Sequence, residues 1–302
     1  MKTIKRFIIF IAIIFIVGGS IVLAFAIKNN AFAQKERIDK TYEIDGEFQN
    51  ISVIINVDDF ELKLSTDGKN KLVCQEYDKM PHETSVSDNC LNVLGKDERK
   101  WYEKIFVFEW NFKPIKSILY LNKDTFNNIV VDASTGNFVI GNEFTFENAD
   151  LKLSTGNLEF NAKLTNDLKA KVSTGSVYFK NVDCKNVELK SSTGLISVEN
   201  MNCEKFKSEG STGSIKLTNV IAENEMEVVA STGDIYLKEV DSKKIYAKVS
   251  TGNIRGVILT PKIFTTTVKT GHANVPSNPS ADLANGECIL YASTGNIDVS
   301  IK

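Results

Sequence analysis

The sequence predicts an all-β fold: a parallel β-solenoid of about 19-residue turns, closed by an irregular β N-terminal cap and preceded by one transmembrane helix. Three observations predict it. Thr-Gly recurs nine times after residue 130 at nearly constant steps. Apolar and polar residues alternate on both sides of each copy. An uncharged apolar run, Phe7–Ile27, opens the chain behind Lys2, Lys5 and Arg6.

The first element is that run. Its 21 residues, at a rise of about 1.5 Å each, span a hydrocarbon core of roughly 30 Å. Three basic residues precede it and four follow (Lys28, Lys35, Arg37, Lys40), so loop charge orients the helix only weakly. Ala31-Phe32-Ala33 offers a signal-peptidase site as the alternative, but the run exceeds the about 7–15 residues of a signal-peptide core. Either way the bulk of the chain is expected outside the cytoplasm, on a single-pass anchor over residues 1–28. A polar linker over 29–45 follows.

Residues 46–130 read as irregular β structure and N-terminal cap. Ile51, Val53, Ile55 and Val57 alternate, and Phe60-Glu-Leu62-Lys-Leu64-Ser-Thr-Asp-Gly68 resembles a degenerate copy of Leu151-Lys-Leu153-Ser-Thr-Gly156. A solenoid needs its first turn covered; the aromatic stretch Trp101 to Tyr120 is the candidate cover.

Residues 131–302 form the regular part. The corners are Thr135-Gly136, Thr155-Gly156, Thr174-Gly175, Thr193-Gly194, Thr212-Gly213, Thr232-Gly233, Thr251-Gly252, Thr270-Gly271 and Thr294-Gly295. Successive steps are 20, 19, 19, 19, 20, 19, 19 and 24. Fixed periods of this size mark stacked repeats. Three residues after Thr stand Phe138, Leu158, Val177, Ile196, Ile215, Ile235, Ile254 and Ile297, and an apolar residue recurs two further on. That is the period of a strand with one buried face. Each repeat therefore reads as strand, corner, strand, corner, stacked in parallel at about 4.8 Å. Glycine at the corner suits a positive φ, and the Asn or Asp that follows suits a turn. Cys184 and Cys203 occupy one slot, with Thr165, Ala222 and Ser242 in other repeats, so that slot takes small residues.

The 24-residue last step carries Pro276, Pro279 and Gly286 and reads as an inserted loop. The final strand, Ile297–Ile301, reads as an uncovered edge open to end-on pairing with a second copy or a partner strand.

Composition narrows the chemistry. A net charge of −2, with 36 Lys and Arg of which only Arg6, Arg37, Arg99 and Arg255 are Arg, argues against nucleic acid as a partner. Five cysteines (74, 90, 184, 203, 288) without a C-x-x-C read as small buried thiols. His82 follows Pro81 in a polar stretch and His272 follows a corner; neither shows ligand partners at metal spacing. No cofactor, metal or catalytic residue is expected. Between the strand anchors the outward column reads Val139, Glu159, Tyr178, Ser197, Lys216, Tyr236, Arg255, without an adjacent acidic pair. Tyr178 and Tyr236 are the candidate surface contacts.

The repeated Ser-Thr-Gly-(Asn/Ser/Asp)-(Ile/Val/Leu) corner, with Ile118-Leu-Tyr-Leu121 leading into it, resembles the bacterial putative-adhesin β-solenoid family, a domain of unknown function, over roughly residues 48–302. The resemblance implies a solenoid at the cell envelope, in some cases tied to envelope stress, and no established catalytic residues. The function expected is a membrane-anchored, non-enzymatic surface or scaffold that meets a cell-wall polymer or an envelope protein. The alternatives are a carbohydrate-active β-helix enzyme and an envelope-stress sensor.

Overall fold

The computed structural model of the chain describes residues 2–28, 36–99, 115–280 and 285–302. They form one helix, α1 (Lys2–Lys28), and a single 22-stranded sheet coiled into a parallel β-solenoid. In α1 the described apolar side chains face outward; Phe10, Phe15, Ile16 and Ile21 are each more than half exposed. Among the described residues no helix is long and apolar enough to cross a membrane. The structure therefore shows an N-terminal helix with an apolar surface; the expected transmembrane helix is not established by it. The Ala31-Phe32-Ala33 site lies outside the described residues.

Stacking follows the repeat. Leu158, Val177, Ile196, Ile215, Ile235 and Ile254 pair in one continuous parallel column, and all are fully buried. Phenylalanines stack through the core, Phe126 on Phe146 and Phe60 on Phe138, with ring centroids 5.9 and 5.2 Å apart. Alternation alone sends these residues inward. The small slot also holds: Cys203 pairs with Ala222 and Ala222 with Ser242.

At each corner the glycine has φ between 123° and 141°, a region L side chains avoid. A Cβ there would also collide with a corner backbone carbonyl in the adjacent rung. Both reasons require glycine. The following Asn or Asp bonds across rungs rather than within its own turn. Asn137 Oδ1 accepts from the Asn157 N–H, and Asn157 Oδ1 from the Ser176 N–H. At the second corner Asn181, Asn200 and Asn219 take positive φ and form their own amide ladder.

The cap differs from expectation. Its strands are β1 (Arg37–Ile44), β2 (Asn50–Leu64), β3 (Asn70–Tyr77), β4 (His82–Ser87), β5 (Cys90–Gly95) and β6 (Ile115–Leu121). The expected linker thus ends early, because β1 pairs antiparallel with β3. β2 is itself the first rung: Ile51 pairs with Ile129, Val53 with Val131 and Phe60 with Phe138. Phe60 therefore follows a corner instead of preceding one, and the expected copy over Phe60–Gly68 is out of register. Asn56-Val57-Asp58-Asp59 stands where the next rung has Ser134-Thr135-Gly136-Asn137. Regular stacking begins at Asn50, well before residue 131. On the outer edge of β2, β5 covers the first half and β6 the second, both parallel. β4 pairs back on β5, and β3 on β6. Of the expected aromatic cover Trp101–Tyr120, residues 101–114 lie outside the described residues.

The last two turns are stacked out of chain order. Lys244–Thr251 pairs with Glu287–Thr294, which pairs in turn with Ile263–Thr270. The final segment is thus an inner rung, and Ile263–Thr270 is the outermost strand. Ile297–Ile301 pairs along its length with Ile254–Ile258, and Ile297 and Asp298 are covered by Ala273 and Asn274. The outer side of this strand is thus covered at Ile297 and Asp298, which narrows the expected end-on edge to Val299–Ile301. On the outermost strand Asn278 donates to the Phe264 carbonyl and accepts its N–H, which occupies both groups on part of that edge.

Candidate functional site

Two regions carry chemistry. The first is the outer wall. Tyr178 is 41% exposed and stands over a shallow groove of about 350 Å³ lined also by Glu159, Lys180, Ser197 and Glu199. Its carboxylates are engaged: Glu159 accepts from the Asn161 amide at 3.0 Å and Glu199 pairs with Lys180 at 3.7 Å. Tyr236, three rungs away, faces outward but is engaged by its neighbours on the wall. Its hydroxyl donates to Asp234 at 2.9 Å, and the Lys216 ammonium lies 5.7 Å from its ring. The structure thus leaves Tyr178 available and does not join the two tyrosines in one site. On two adjacent outward columns, Lys190 and Lys207 pair with Glu188, Glu209 and Glu227 in a network of surface ion pairs. Such pairs are individually weak. At the Thr-Gly corners the glycines carry the positive φ and the close rung-to-rung approach described above.

The second region was not expected. Asp58 sits at the corner position of β2, and its side chain turns into the cap. Its Oδ1 accepts from the Ser117 hydroxyl of β6 at 2.6 Å and lies 2.8 Å from His82 Nε2. The other face of the His82 ring, Nδ1, is 3.2 Å from Glu76 Oε1 on β3. That same oxygen accepts from the Tyr42 hydroxyl of β1 and the His82 backbone N–H, both at 2.7 Å, with the Cys74 thiol at 3.8 Å. Asp58, Cys74, Glu76, His82 and Ser117 are all buried. The cluster joins five of the six cap strands.

Its electrostatics follow from the pairing. Burial alone would lower the His82 pKa, but the hydrogen bonds and charges of Asp58 and Cys74 outweigh it and push it up to about 10. The surroundings therefore favour the protonated ring. Burial raises Cys74, with His82 opposing. Burial and Glu76 raise Tyr42. Ser117 donates to Asp58 and not to the imidazole, so the group lacks the serine-to-base contact of a nucleophilic triad.

The sequence offered one signal for this cluster. The first rung lacks the corner Thr-Gly, and an aspartate replaces the glycine. That signal was hidden by the shifted register, and His82 read alone showed no partners.

With solenoid and cap in view, the decisive comparison is a family model. The Toastrack DUF4097 model matches residues 48–260, more than two thirds of the chain. The chain belongs to the Toastrack DUF4097 family. The matched Toastrack region begins at the first rung and takes in Asp58, Cys74, Glu76, His82 and Ser117, with Tyr42 just before it. No curated protein matches the chain. Similar solved structures include the following three. One is a putative adhesin from Bacteroides fragilis at 20% identity, with 88% of this chain and 97% of that one covered and a TM-score of 0.41. Another is a putative adhesin from Parabacteroides merdae at 14%, with 88% and 96% covered and a TM-score of 0.42. The third is a putative lipid binding protein from Parabacteroides distasonis at 14%, with 88% and 97% covered and a TM-score of 0.42. At these scores none of them bears on what this Toastrack chain binds.

Proposed function

We propose that the chain is a cell-envelope protein, anchored in the membrane through Phe7–Ile27, whose solenoid acts outside the cytoplasm as a non-enzymatic, adhesin-like surface for a cell-wall polymer. The observation that carries this reading is the open groove at Tyr178. It pairs an exposed aromatic ring with Glu159, Lys180, Ser197 and Glu199, the mixture of stacking face and polar partners that suits a polyhydroxyl chain. The groove's carboxylates are already paired, which weakens the carbohydrate-active alternative. The anchor rests on the uncharged length of Phe7–Ile27.

The purified chain, incubated with isolated cell walls, should sediment with them. Tyr178→Ala should weaken retention about fivefold, the equivalent of roughly 1 kcal/mol, and Tyr236→Ala should not. Soluble sugar fragments released by the wild type would replace this reading with the enzymatic one. Protease added to intact cells should cut the solenoid region; protection until lysis would reverse the topology.

A further inference from the structure

The buried cluster in the cap has the makings of a metal site. Cys74 and Glu76 are two apart on β3 and so share a face, and His82 opens β4 beside them. One ligand atom from each lies within 4.8 Å of the others. Bond lengths to zinc of about 2.0–2.1 Å for nitrogen, 2.0–2.2 Å for oxygen and 2.3 Å for sulfur give tetrahedral edges of roughly 3.3 Å between nitrogen and oxygen and roughly 3.5 Å between sulfur and oxygen. The observed edges are 3.2 Å from Nδ1 to Oε1 and 3.8 Å from Sγ to Oε1.

The surroundings fit as well. Asp58 holds His82 Nε2 at 2.8 Å, and Ser117 holds Asp58. A ligating histidine commonly gives its other ring N–H to a carboxylate, which fixes the ring and leaves the first nitrogen for the ion. Glu76 Oε1 meets four donor groups at once, and two of these, the His82 ring and the Cys74 thiol, carry protons that a cation would replace.

We propose that Cys74, Glu76 and His82 bind a divalent ion of zinc type, with Asp58 as the positioning residue. A mixed sulfur, nitrogen and oxygen set suits a borderline-soft cation over calcium or magnesium. Binding forms bonds from the ion to Sγ, Nδ1 and a Glu76 oxygen. It releases the Cys74 proton and the His82 Nδ1 proton to solvent. The fourth position falls to a water or to the Tyr42 hydroxyl. Because β3, β4 and the first rung meet there, the ion's place is structural: it pins the cap to the solenoid.

The test is metal uptake by the full chain in detergent. After chelation and dialysis, the wild type should take up one equivalent of zinc and unfold at a higher temperature with it. Cobalt(II) should give tetrahedral visible bands and a near-ultraviolet thiolate-to-cobalt band. Cys74→Ser should lose the thiolate band, Cys203→Ser should keep it, and Asp58→Asn should weaken zinc binding about 10- to 100-fold. A folded wild type, β by circular dichroism, that binds neither ion overturns the proposal without recourse to any variant. So does a thiolate band that survives in Cys74→Ser.

Discussion

Two residue types make the corner, and they fail differently. Gly194 has φ 137° and no space for a Cβ against the Gly175 carbonyl. Gly194→Ala should cost about 3 kcal/mol or more, since strain and collision add. Thr193 beside it is exposed, and Thr193→Ala should stay within about 0.5 kcal/mol. Denaturant titration of the two variants separates them. Asp234 tests the cross-rung bond. It accepts the Asn253 N–H at 2.7 Å, the Asn253 side-chain amide and the Tyr236 hydroxyl. Burial raises its pKa, but these donors and Arg255 outweigh that and lower it below the usual carboxylate value. A depressed folded pKa means stability that is present above the unfolded value near 3.9 and is lost as pH falls through the folded one. Asp234→Asn keeps the acceptor, as Asn137 and Asn157 do in their rungs. It should be nearly neutral at pH 7 and remove that part of the acid sensitivity. Asp234→Ala should cost about 1 kcal/mol at pH 7. Thermal melts from pH 7 to pH 3 read both effects.

At the level of elements, alternation was enough to place the core. Inward residues such as Leu158, Ile215 and Ile254 are buried for the reason the sequence displays: their neighbours along the strand are polar. The cap was not legible because its contacts are long-range and partly antiparallel. Ser117 reaches Asp58 across 59 positions and His82 reaches it across 24, distances at which no short pattern repeats. Lys262 is a second instance. Next to Pro261 it reads as one more surface lysine, yet it is 1% exposed. Its ammonium bonds Asp241 at 2.6 Å, and Thr260 Oγ1 and the Asn285 carbonyl at 2.7 Å. It ties the start of the last segment to the preceding turns. Lys262→Met leaves Asp241 without its cation and should cost about 3–5 kcal/mol. Lys262→Met with Asp241→Leu should recover much of that loss. A double-mutant cycle in urea measures the coupling, and additivity of the two changes would refute it.

For the whole molecule, the order of the turns is the property that repetition conceals. Thr251 to Thr270 is an ordinary 19-residue step, so the sequence favours stacking those two turns directly. Identical corners accept either neighbour, since Thr251 and Thr270 each pair with Thr294 in the same register. The segment after Val275 lets the chain return, and bonds unique to this order hold it. Asn278 clasps Phe264 on the outer strand, Lys262 reaches Asn285, and Lys302 N–H donates to the Ile258 carbonyl. Tyr291 lies between Lys248 and Lys269, its ring centroid 5.5 and 6.0 Å from their ammonium groups. Cysteine pairs can read the order. Lys248 is the direct partner of Tyr291, while Thr267 lies one rung further on. Rungs about 4.8 Å apart put the first pair within disulfide range and the second, at roughly 9.6 Å, beyond it. Lys248→Cys with Tyr291→Cys should therefore cross-link under mild oxidation, and Lys248→Cys with Thr267→Cys should not. The reverse result would restore stacking in chain order and return Ile297–Ile301 to the exposed end.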